Sequence, residues 1–225
     1  MSPYEFRLKR ERLWIEGGLT LEVESLASLD ETIDSFFEFL EREGKPELLE
    51  TLCPYFGVIW PAGAALARAV AKLPANALAG RSVLEIGCGL ALPSMVAALR
   101  DARVLATDSH PEVPRFLERN RALNGGLPSL RYAHADWNEP PAAGAYDLVL
   151  GSDVLYEKAH AERVPAAIAA ALAPGGRAIV ADPGRPYLQA FVDRMREQGF
   201  ESRAETVQSG KGEKDAVWLF EFRRA

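Results

Sequence analysis

Two glycines in the stretch from Ser82 to Pro93 could bring a small ligand against the protein backbone. The stretch reads as an apolar strand with an acid at Glu85, a turn through Gly87 and Gly89, and a helix from about Ala91. A ligand can approach a backbone closely only where no Cβ is in the way, which is the advantage of glycine at such a turn. A strand, a glycine turn and a helix in this order predict half of a nucleotide-binding unit.

The spacing around this turn separates three kinds of ligand. The GxxxxGK[ST] phosphate loop is absent, because no Lys-Ser or Lys-Thr pair follows the glycines. The GxGxxG fingerprint of dinucleotide sites requires a third glycine where this chain has Leu92. The remaining pattern, [D/E]xGxG, resembles the first motif of the class I, seven-β-strand methyltransferases, which use S-adenosylmethionine. Many members have a further glycine at the position of Ala91, a small change that we expect to be tolerated. The resemblance implies cofactor contacts from the turn and its acid: Glu85, Gly87, Cys88 and Gly89.

Two later strand ends also carry acids. Asp108 ends the stretch RVLATD, about 20 residues after the glycines, where a βαβ nucleotide site places the acceptor for the ribose hydroxyls. This position supports an adenosine ligand without distinguishing the methyl donor from NAD. Asp136 and Trp137 follow the next predicted strand. In the resembling family an acid and an aromatic residue there bind the amine edge and cover the flat face of adenine. The resemblance adds Ser109 to the cofactor residues.

Asp153 and Tyr156 follow the fourth predicted strand, and their spacing resembles the DxxY motif of lysine-directed methyltransferases. The WPA-type segment at Trp60 resembles the same group, in which the Trp lies beside the cofactor, and the resemblance also places Ser152 there. We interpret Asp153 as the residue that captures and orients an incoming lysine. Tyr156 would pack the wall of the site or hold the amine. The alternatives are a helix-capping Asp153 with Tyr156 in the core, and a Trp60 that only packs on the sheet.

The composition limits the classes of function. A net charge of −6 and a pI near 5.3 disfavour a general nucleic-acid binder. Two cysteines, Cys53 and Cys88, and three histidines predict neither a disulfide framework nor a metal site. No apolar run reaches the roughly 20 residues that span a bilayer, and no signal peptide is recognisable, so we expect a cytoplasmic protein. Residues 1–50 hold 6 basic and 13 acidic residues, which either attract a lysine-rich surface or form a solvated helix face.

The remaining elements predict an α/β fold that positions these residues. Alternating apolar residues over 7–26 predict a β-hairpin in which Trp14 packs, and Ser28 begins an amphipathic helix. This hairpin-helix extension covers residues 1–53, and the methyltransferase domain covers 54–225. The resemblance implies a Rossmann-like seven-stranded sheet of order 3-2-1-4-5-7-6, with strand 7 antiparallel and helices on both faces.

Three further segments belong to this predicted domain. We expect Pro165 to break the helix that follows the fourth strand. The loop from Asp182 to Arg185 follows the fifth strand and is a candidate wall of the substrate site. The segment SGKGEK, residues 209–214, would connect the last two strands near the active edge, and whether it contacts substrate stays open.

Together these features predict an S-adenosylmethionine-dependent N-methyltransferase that resembles the DxxY protein-lysine group, including the electron-transfer flavoprotein β-subunit lysine methyltransferases. The expected partner is a protein bearing a lysine. No nucleic acid, membrane or metal partner is expected, and a monomer is favoured. A small-molecule N-methyltransferase of the nicotinamide type is the closest alternative. A non-catalytic cofactor-binding protein is another, as is an NAD-dependent oxidoreductase, which would need a Tyr-x-x-x-Lys pair that we do not find.

Overall fold

The structure is a computed structural model that describes residues 4–137, 143–208 and 216–224. Its strands are β1 (Leu8–Trp14), β2 (Thr20–Leu26), β3 (Ser82–Ile86), β4 (Arg103–Asp108), β5 (Leu130–His134), β6 (Tyr146–Ser152), β7 (Leu172–Asp182), β8 (Phe200–Gln208) and β9 (Ala216–Arg224). Its α-helices are α1 (Leu29–Arg42), α2 (Leu49–Leu52), α3 (Pro61–Lys72), α4 (Leu92–Leu99), α5 (Val113–Leu123), α6 (His160–Ala171) and α7 (Leu188–Glu197). Short 3-10 turns cover Pro46–Leu48, Tyr55–Gly57 and Ala75–Ala77.

Seven of the described strands form a sheet in the order β5-β4-β3-β6-β7-β9-β8. Strand β9 runs antiparallel to both of its neighbours, and the other pairs are parallel. Counted from β3, this is the predicted order 3-2-1-4-5-7-6, so the fold prediction is confirmed. Strands β4 and β5 follow β3 towards one edge of the sheet, and β6 and β7 continue from β3 towards the other edge. The topological switch point therefore lies between β3 and β6. The carboxyl ends of strands at such a point are where open α/β sheets bind ligands.

The central strands are apolar on both sides because helices cover both faces of the sheet. In β3, Val83 packs into the core beneath α3, α4 and α5, while Leu84 packs into the core beneath α6 and α7. Both side chains are 0% exposed. The alternation follows from the period of two residues in a strand. It also places Glu85, two residues after Val83, on the same side of the sheet as Val83.

The N-terminal hairpin is attached to the sheet domain by Asn120 of α5 and by Asn124, the residue that follows this helix. The Asn120 side chain accepts a hydrogen bond from the Glu24 N–H at 2.7 Å and donates one to the Glu24 carbonyl at 3.1 Å. Asn124 makes the same pair of bonds with Glu22, at 3.0 and 2.7 Å. A spacing of four residues on a helix thus matches a spacing of two on strand β2. The hairpin also shares the apolar core beneath α3, α4 and α5. The division at residues 53 and 54 stays a prediction.

Replacing Asn120 with alanine is expected to lower the free energy of unfolding by about 3 kcal/mol, because the N–H and carbonyl of Glu24 lose their side-chain partner. The Asn120 side chain is 0% exposed, so water cannot take its place without rearrangement. Urea unfolding measures this loss. Asn76 is exposed and gives the control, since its change to alanine should stay within about 0.5 kcal/mol. Equal effects of the two substitutions would contradict the anchoring role.

Four local predictions need correction or qualification. Trp14 is 71% exposed rather than packed, because it lies on the face of the hairpin opposite to Leu13. Pro165 lies inside α6 instead of breaking it; the residue is buried, and its missing N–H removes only one intrahelical hydrogen bond. Strand β5 ends at His134, so Asp136 belongs to the following loop. The segment SGKGEK lies outside the described residues. None of the helices in the described ranges combines the length and the apolar composition that crossing a bilayer requires.

Candidate active site

A cavity of about 740 Å³ opens at the carboxyl ends of β3, β4 and β6. Its size lies in the range of small-molecule and cofactor sites. Every residue predicted for the site except Glu85 lines this cavity: Trp60, Gly87, Cys88, Gly89, Asp108, Ser109, Asp136, Trp137, Ser152, Asp153 and Tyr156. The structure therefore brings together residues that lie far apart in the sequence.

The Asp108 carboxylate is held in place by backbone donors from two loops. Its Oδ2 accepts the Gly89 N–H at 2.9 Å, and its Oδ1 accepts the His110 N–H at 2.9 Å. The first bond links the end of β4 to the glycine turn after β3. Each oxygen keeps one further lone pair for a ligand, so the carboxylate can accept hydrogen bonds from two neighbouring hydroxyls.

The glycine turn packs so closely against neighbouring residues that a side chain at either glycine would collide with them. A Cβ at Gly87 would lie 3.0 Å from Val154 and 3.1 Å from the Trp137 ring. A Cβ at Gly89 would lie 3.0 Å from the Phe56 carbonyl oxygen. Both glycines have positive φ angles, +59° and +49°. Ala91 also has a φ of 58°, in the left-handed region that glycine adopts without strain, so alanine is accommodated there at a cost of roughly 1 kcal/mol.

Glu85 lies beneath the turn and not on the cavity wall, so its predicted contact with the cofactor is not supported by its placement. Its side chain is 0% exposed, and its Oε2 accepts the Ser94 N–H in the first turn of α4 at 2.9 Å. The other oxygen, Oε1, has no hydrogen-bond partner among the described residues. Burial raises the pKa of Glu85 to about 8, against the opposing effect of the bonds from Ser94. The strand alternation explains the placement, because it turns this side chain towards α4.

The stability of the protein should therefore depend on pH through Glu85. In the unfolded chain a glutamate has a pKa of about 4.3, so between that pH and about 8 the folded state binds the extra proton. The contribution of Glu85 to the free energy of unfolding is complete at low pH. Above the unfolded pKa it falls by about 1.4 kcal/mol per pH unit, up to the folded pKa. Glu85→Gln removes this slope. Urea unfolding at pH 5 and pH 8 measures this effect: the free energy of unfolding of the variant, relative to that of the wild type, should be higher at pH 8 than at pH 5. The same difference at both pH values would contradict the raised pKa of Glu85.

Asp153 follows β6 with a φ of 58° and forms an ion pair with Arg185. The alternative in which Asp153 caps the next helix is wrong, because the residue before α6 is Ala159. Burial raises the pKa of the Asp153 carboxyl, and the positive charge of Arg185 opposes this shift. Tyr156 is 58% exposed and lines the cavity, so it is not a core residue. Desolvation in the cleft, followed by the Asp108 charge, raises the pKa of Tyr156 to about 12, which keeps the phenol neutral.

Aromatic rings form one wall of the cavity. The Trp137 and Tyr156 rings both contact the His160 ring edge to face. The centroid distances are 4.5 Å for Trp137 and 4.4 Å for Tyr156. His160 accepts the Glu157 N–H at its Nδ1, at 3.2 Å, and burial lowers its pKa. Trp60 is half-buried at the start of α3 and donates its indole N–H to the Tyr55 carbonyl at 2.9 Å.

Sequence reasoning missed two groups that contribute to the site. His160 packs against the Trp137 and Tyr156 rings, and the His110 ring lies tilted against Phe56 at 4.2 Å between centroids. Phe56 and Trp137, which pack against His110 and His160, come from other parts of the chain, so no spacing pattern points to these contacts. Within the described residues, no group of three or more His, Cys, Asp or Glu side chains could hold a metal ion.

The sheet order, the glycine turn and the strand-end acids around one cavity define a Rossmann-like, class I methyltransferase fold. Magnesium protoporphyrin IX methyltransferase from Synechocystis PCC 6803, solved with bound S-adenosylmethionine, has this fold at a TM-score of 0.62 and 18% identity, over 73% of this chain and 80% of that one. At that identity the likeness shows the fold alone. The chain belongs to the lysine methyltransferase family, whose pattern matches residues 53–197.

Two curated relatives show how the acceptor varies among similar proteins. The histone-arginine methyltransferase METTL23 of Xenopus laevis is 36% identical in an alignment of 143 residues that covers 54% of this chain and 56% of the relative. The electron transfer flavoprotein beta subunit lysine methyltransferase of Rattus norvegicus is 30% identical over 135 residues, 59% of this chain and 52% of the relative. This chain thus spans little more than half the length of these two relatives.

Proposed function

We propose that the protein transfers a methyl group from S-adenosylmethionine to a side-chain nitrogen of another protein, most directly to a lysine amine. The observation that carries this proposal is that the glycine turn, Asp108 and Asp153 line one cavity. Membership of the lysine methyltransferase family supports the chemistry. The cytoplasmic location and the monomeric state expected from the sequence stay predictions.

The residues of the cavity suit an adenosine cofactor without phosphates. Asp108 offers oxygen acceptors that two backbone N–H groups already orient, which suits the paired hydroxyls of a ribose. Trp137 offers an aromatic surface for a base, beside Asp136 on the same wall. Gly87 and Gly89 line the same cavity, so the rest of the ligand would lie against backbone that carries no side chain. A dinucleotide fits the site less well, because the chain has Leu92 in place of the third glycine of the GxGxxG motif.

S-adenosylmethionine supplies an electrophilic methyl group on a positively charged sulfur. The protein has to hold a nitrogen nucleophile in line with that methyl group and in its neutral form. A free lysine, with a pKa of about 10.4, needs about 4.6 kcal/mol to be neutral at pH 7. Apolar walls lower this value by desolvating the ammonium. A carboxylate such as Asp153 has the opposite effect, so its role is to orient the acceptor, and the proton leaves to water.

Arginine is a second acceptor that one observation favours, because the relative METTL23 is named for histone arginine. A guanidinium is planar and keeps its charge far above neutral pH, whereas a lysine amine is a single point charge. The two acceptors make different demands on the same cavity. Peptide mapping of the methylated product separates them directly.

The proposal is tested with labelled S-adenosylmethionine and a cell lysate. Intact-protein mass spectrometry is expected to show the mass increments of added methyl groups on a protein, and fragmentation should place them on lysine. Asp108→Ala gives the control for dependence on the cofactor site. Label that appears only in the small-molecule fraction would favour the nicotinamide-type alternative. Binding of S-adenosylhomocysteine without any transfer would favour the non-catalytic one.

A further inference from the structure

Arg185 lines the cavity and forms ion pairs with two carboxylates. Its Nη1 lies 2.6 Å from Oδ1 of Asp153 and 3.2 Å from Oδ2 of Asp182. The Asp182 Oδ1 accepts the backbone N–H groups of Gly184 and Arg185, at 2.8 and 2.7 Å. Asp182 therefore fixes the loop that carries the guanidinium, and the guanidinium fixes Asp153. The loop was expected to be a wall of the substrate site, and Arg185 indeed lines the cavity.

All three side chains of this cluster are shielded from water. The exposed fractions of the side chains are 11% for Asp153, 23% for Arg185 and 0% for Asp182. The second oxygen of Asp153, Oδ2, is buried and has no hydrogen bond among the described residues. A buried carboxylate without an opposite charge nearby would be protonated. Arg185 supplies that charge, and the three groups together keep one net negative charge.

The parts of the cavity outside the loop of Asp182 and Arg185 bring fewer charges to Asp153. The Ala62 N–H at the start of α3 favours the ionised carboxyl. The remaining ionisable groups of the cavity are Glu50, Cys53, Tyr55, Cys88, Asp108, His110, Asp136, Tyr156, Glu157, His160 and Arg163. Arg163 is the other arginine in that lining. Among the described residues it makes no ion pair or hydrogen bond with Asp153, Arg185 or Asp182, so it can serve as the control.

We propose that Arg185 is a positioning residue for the acceptor site: by clamping the Asp153 carboxylate against the end of β7, it holds that carboxylate ready for one cationic or hydrogen-bond-donating acceptor nitrogen. This inference rests on the proposed function, which it deepens by adding a residue of the acceptor side. A single unbalanced negative charge matches one primary ammonium. Without Arg185 two buried acids would face each other, and Asp153 would tend to bind a proton instead of an amine.

The competing view is that Arg185 occupies the place of the acceptor and must be displaced by it. The two views predict opposite effects of removing the guanidinium. If Arg185 positions Asp153, its removal weakens the binding of an amine. If Arg185 competes with the amine, its removal strengthens that binding. A third possibility, that Arg185 only holds the loop, predicts no change in the titration of Asp153.

The experiment measures the ionisation of Asp153 in the whole protein, without any turnover. Protein labelled with 13C at the aspartate carboxyl carbons is titrated by NMR, and the Asp153 signal is identified by its loss in Asp153→Asn. In Arg185→Gln the midpoint is expected to rise by about 1 to 3 pH units, because an opposite charge is lost. In Asp182→Asn it is expected to fall, since a like charge is lost while the amide oxygen still accepts both backbone N–H groups. Arg163→Gln should leave it unchanged, and Arg185→Lys should keep it near the wild-type value.

The second part uses n-butylammonium as a probe for the lysine side chain, in the presence of S-adenosylhomocysteine. Saturable movement of the Asp153 signal is expected in the wild type and in Arg163→Gln, with affinity reduced about tenfold in Arg185→Gln, which corresponds to about 1.4 kcal/mol. Tighter binding in Arg185→Gln, or an unmoved midpoint, would overturn the inference. If Arg185→Gln does not fold, Asp182→Asn carries the test, and an upward or absent shift there overturns it. Because no step requires methyl transfer, a failure of the proposed function would show separately, in the mass-spectrometric assay.

Discussion

Replacing Asp108 with alanine is expected to weaken the binding of S-adenosylhomocysteine by about 100-fold, or about 2.7 kcal/mol. The carboxylate is positioned by the N–H groups of Gly89 and His110 and is the acceptor in the cavity best placed for a pair of ribose hydroxyls. Its removal takes away charge-assisted hydrogen bonds and also the link that holds the glycine turn against β4. Isothermal titration calorimetry measures the loss directly.

Asp147 provides a matched control for this prediction. It lies on β6 and also accepts a backbone N–H, from Ser82 at 2.8 Å, and it pairs with Arg81. The residue is near the opposite end of the sheet and does not line the cavity. Asp147→Ala should therefore reduce stability without changing affinity for the ligand. Equal affinity of the Asp108 variant and the wild type would remove Asp108 from the cofactor site.

Replacing Asp153 with asparagine is expected to reduce the rate of methyl transfer by about 100-fold and to leave the affinity for S-adenosylhomocysteine unchanged, a loss of about 2.7 kcal/mol in the transition state. Asparagine keeps the size of the side chain and removes the charge that orients an acceptor nitrogen and pairs with Arg185. Single-turnover kinetics with the labelled donor measure the rate, and calorimetry measures the affinity.

Glu157 gives the control for a general effect of negative charge in the cavity. It is an exposed acid in the same lining, and Glu157→Gln should change the rate only slightly. A drop of similar size in both variants would point to a diffuse electrostatic effect instead of a specific role for Asp153. Turnover by Asp153→Asn equal to that of the wild type would remove Asp153 from the mechanism.

The features that sequence reasoning predicted well are those decided by neighbours in the chain. The glycine turn, the apolar strands and the capping Ser28, whose hydroxyl accepts the Glu31 N–H at 3.3 Å, depend on residues a few positions apart. The order of the strands depends on contacts across the whole chain. It was correct because the resemblance to a known family implied it, and not because periodicity specified it.

The features that were missed depend on which side of an element a side chain takes and on distant partners. Glu85 has the type and position of a cofactor ligand, but the alternation of β3 places its carboxyl beneath α4. Trp14 is apolar enough for a core, yet it lies on the outer face of a two-stranded hairpin. The pairing of Asp153 with Arg185 joins the ends of β6 and β7. No local pattern encodes such a pair.

The most direct measurement of the central claim is a crystal structure of the protein with S-adenosylhomocysteine. The account predicts the ribose hydroxyls within about 3 Å of the Asp108 carboxylate, the adenine against Trp137, and the sulfur open towards Asp153 and Tyr156. A ligand bound away from these residues, or a cavity that stays empty at a saturating concentration of the ligand, would contradict it.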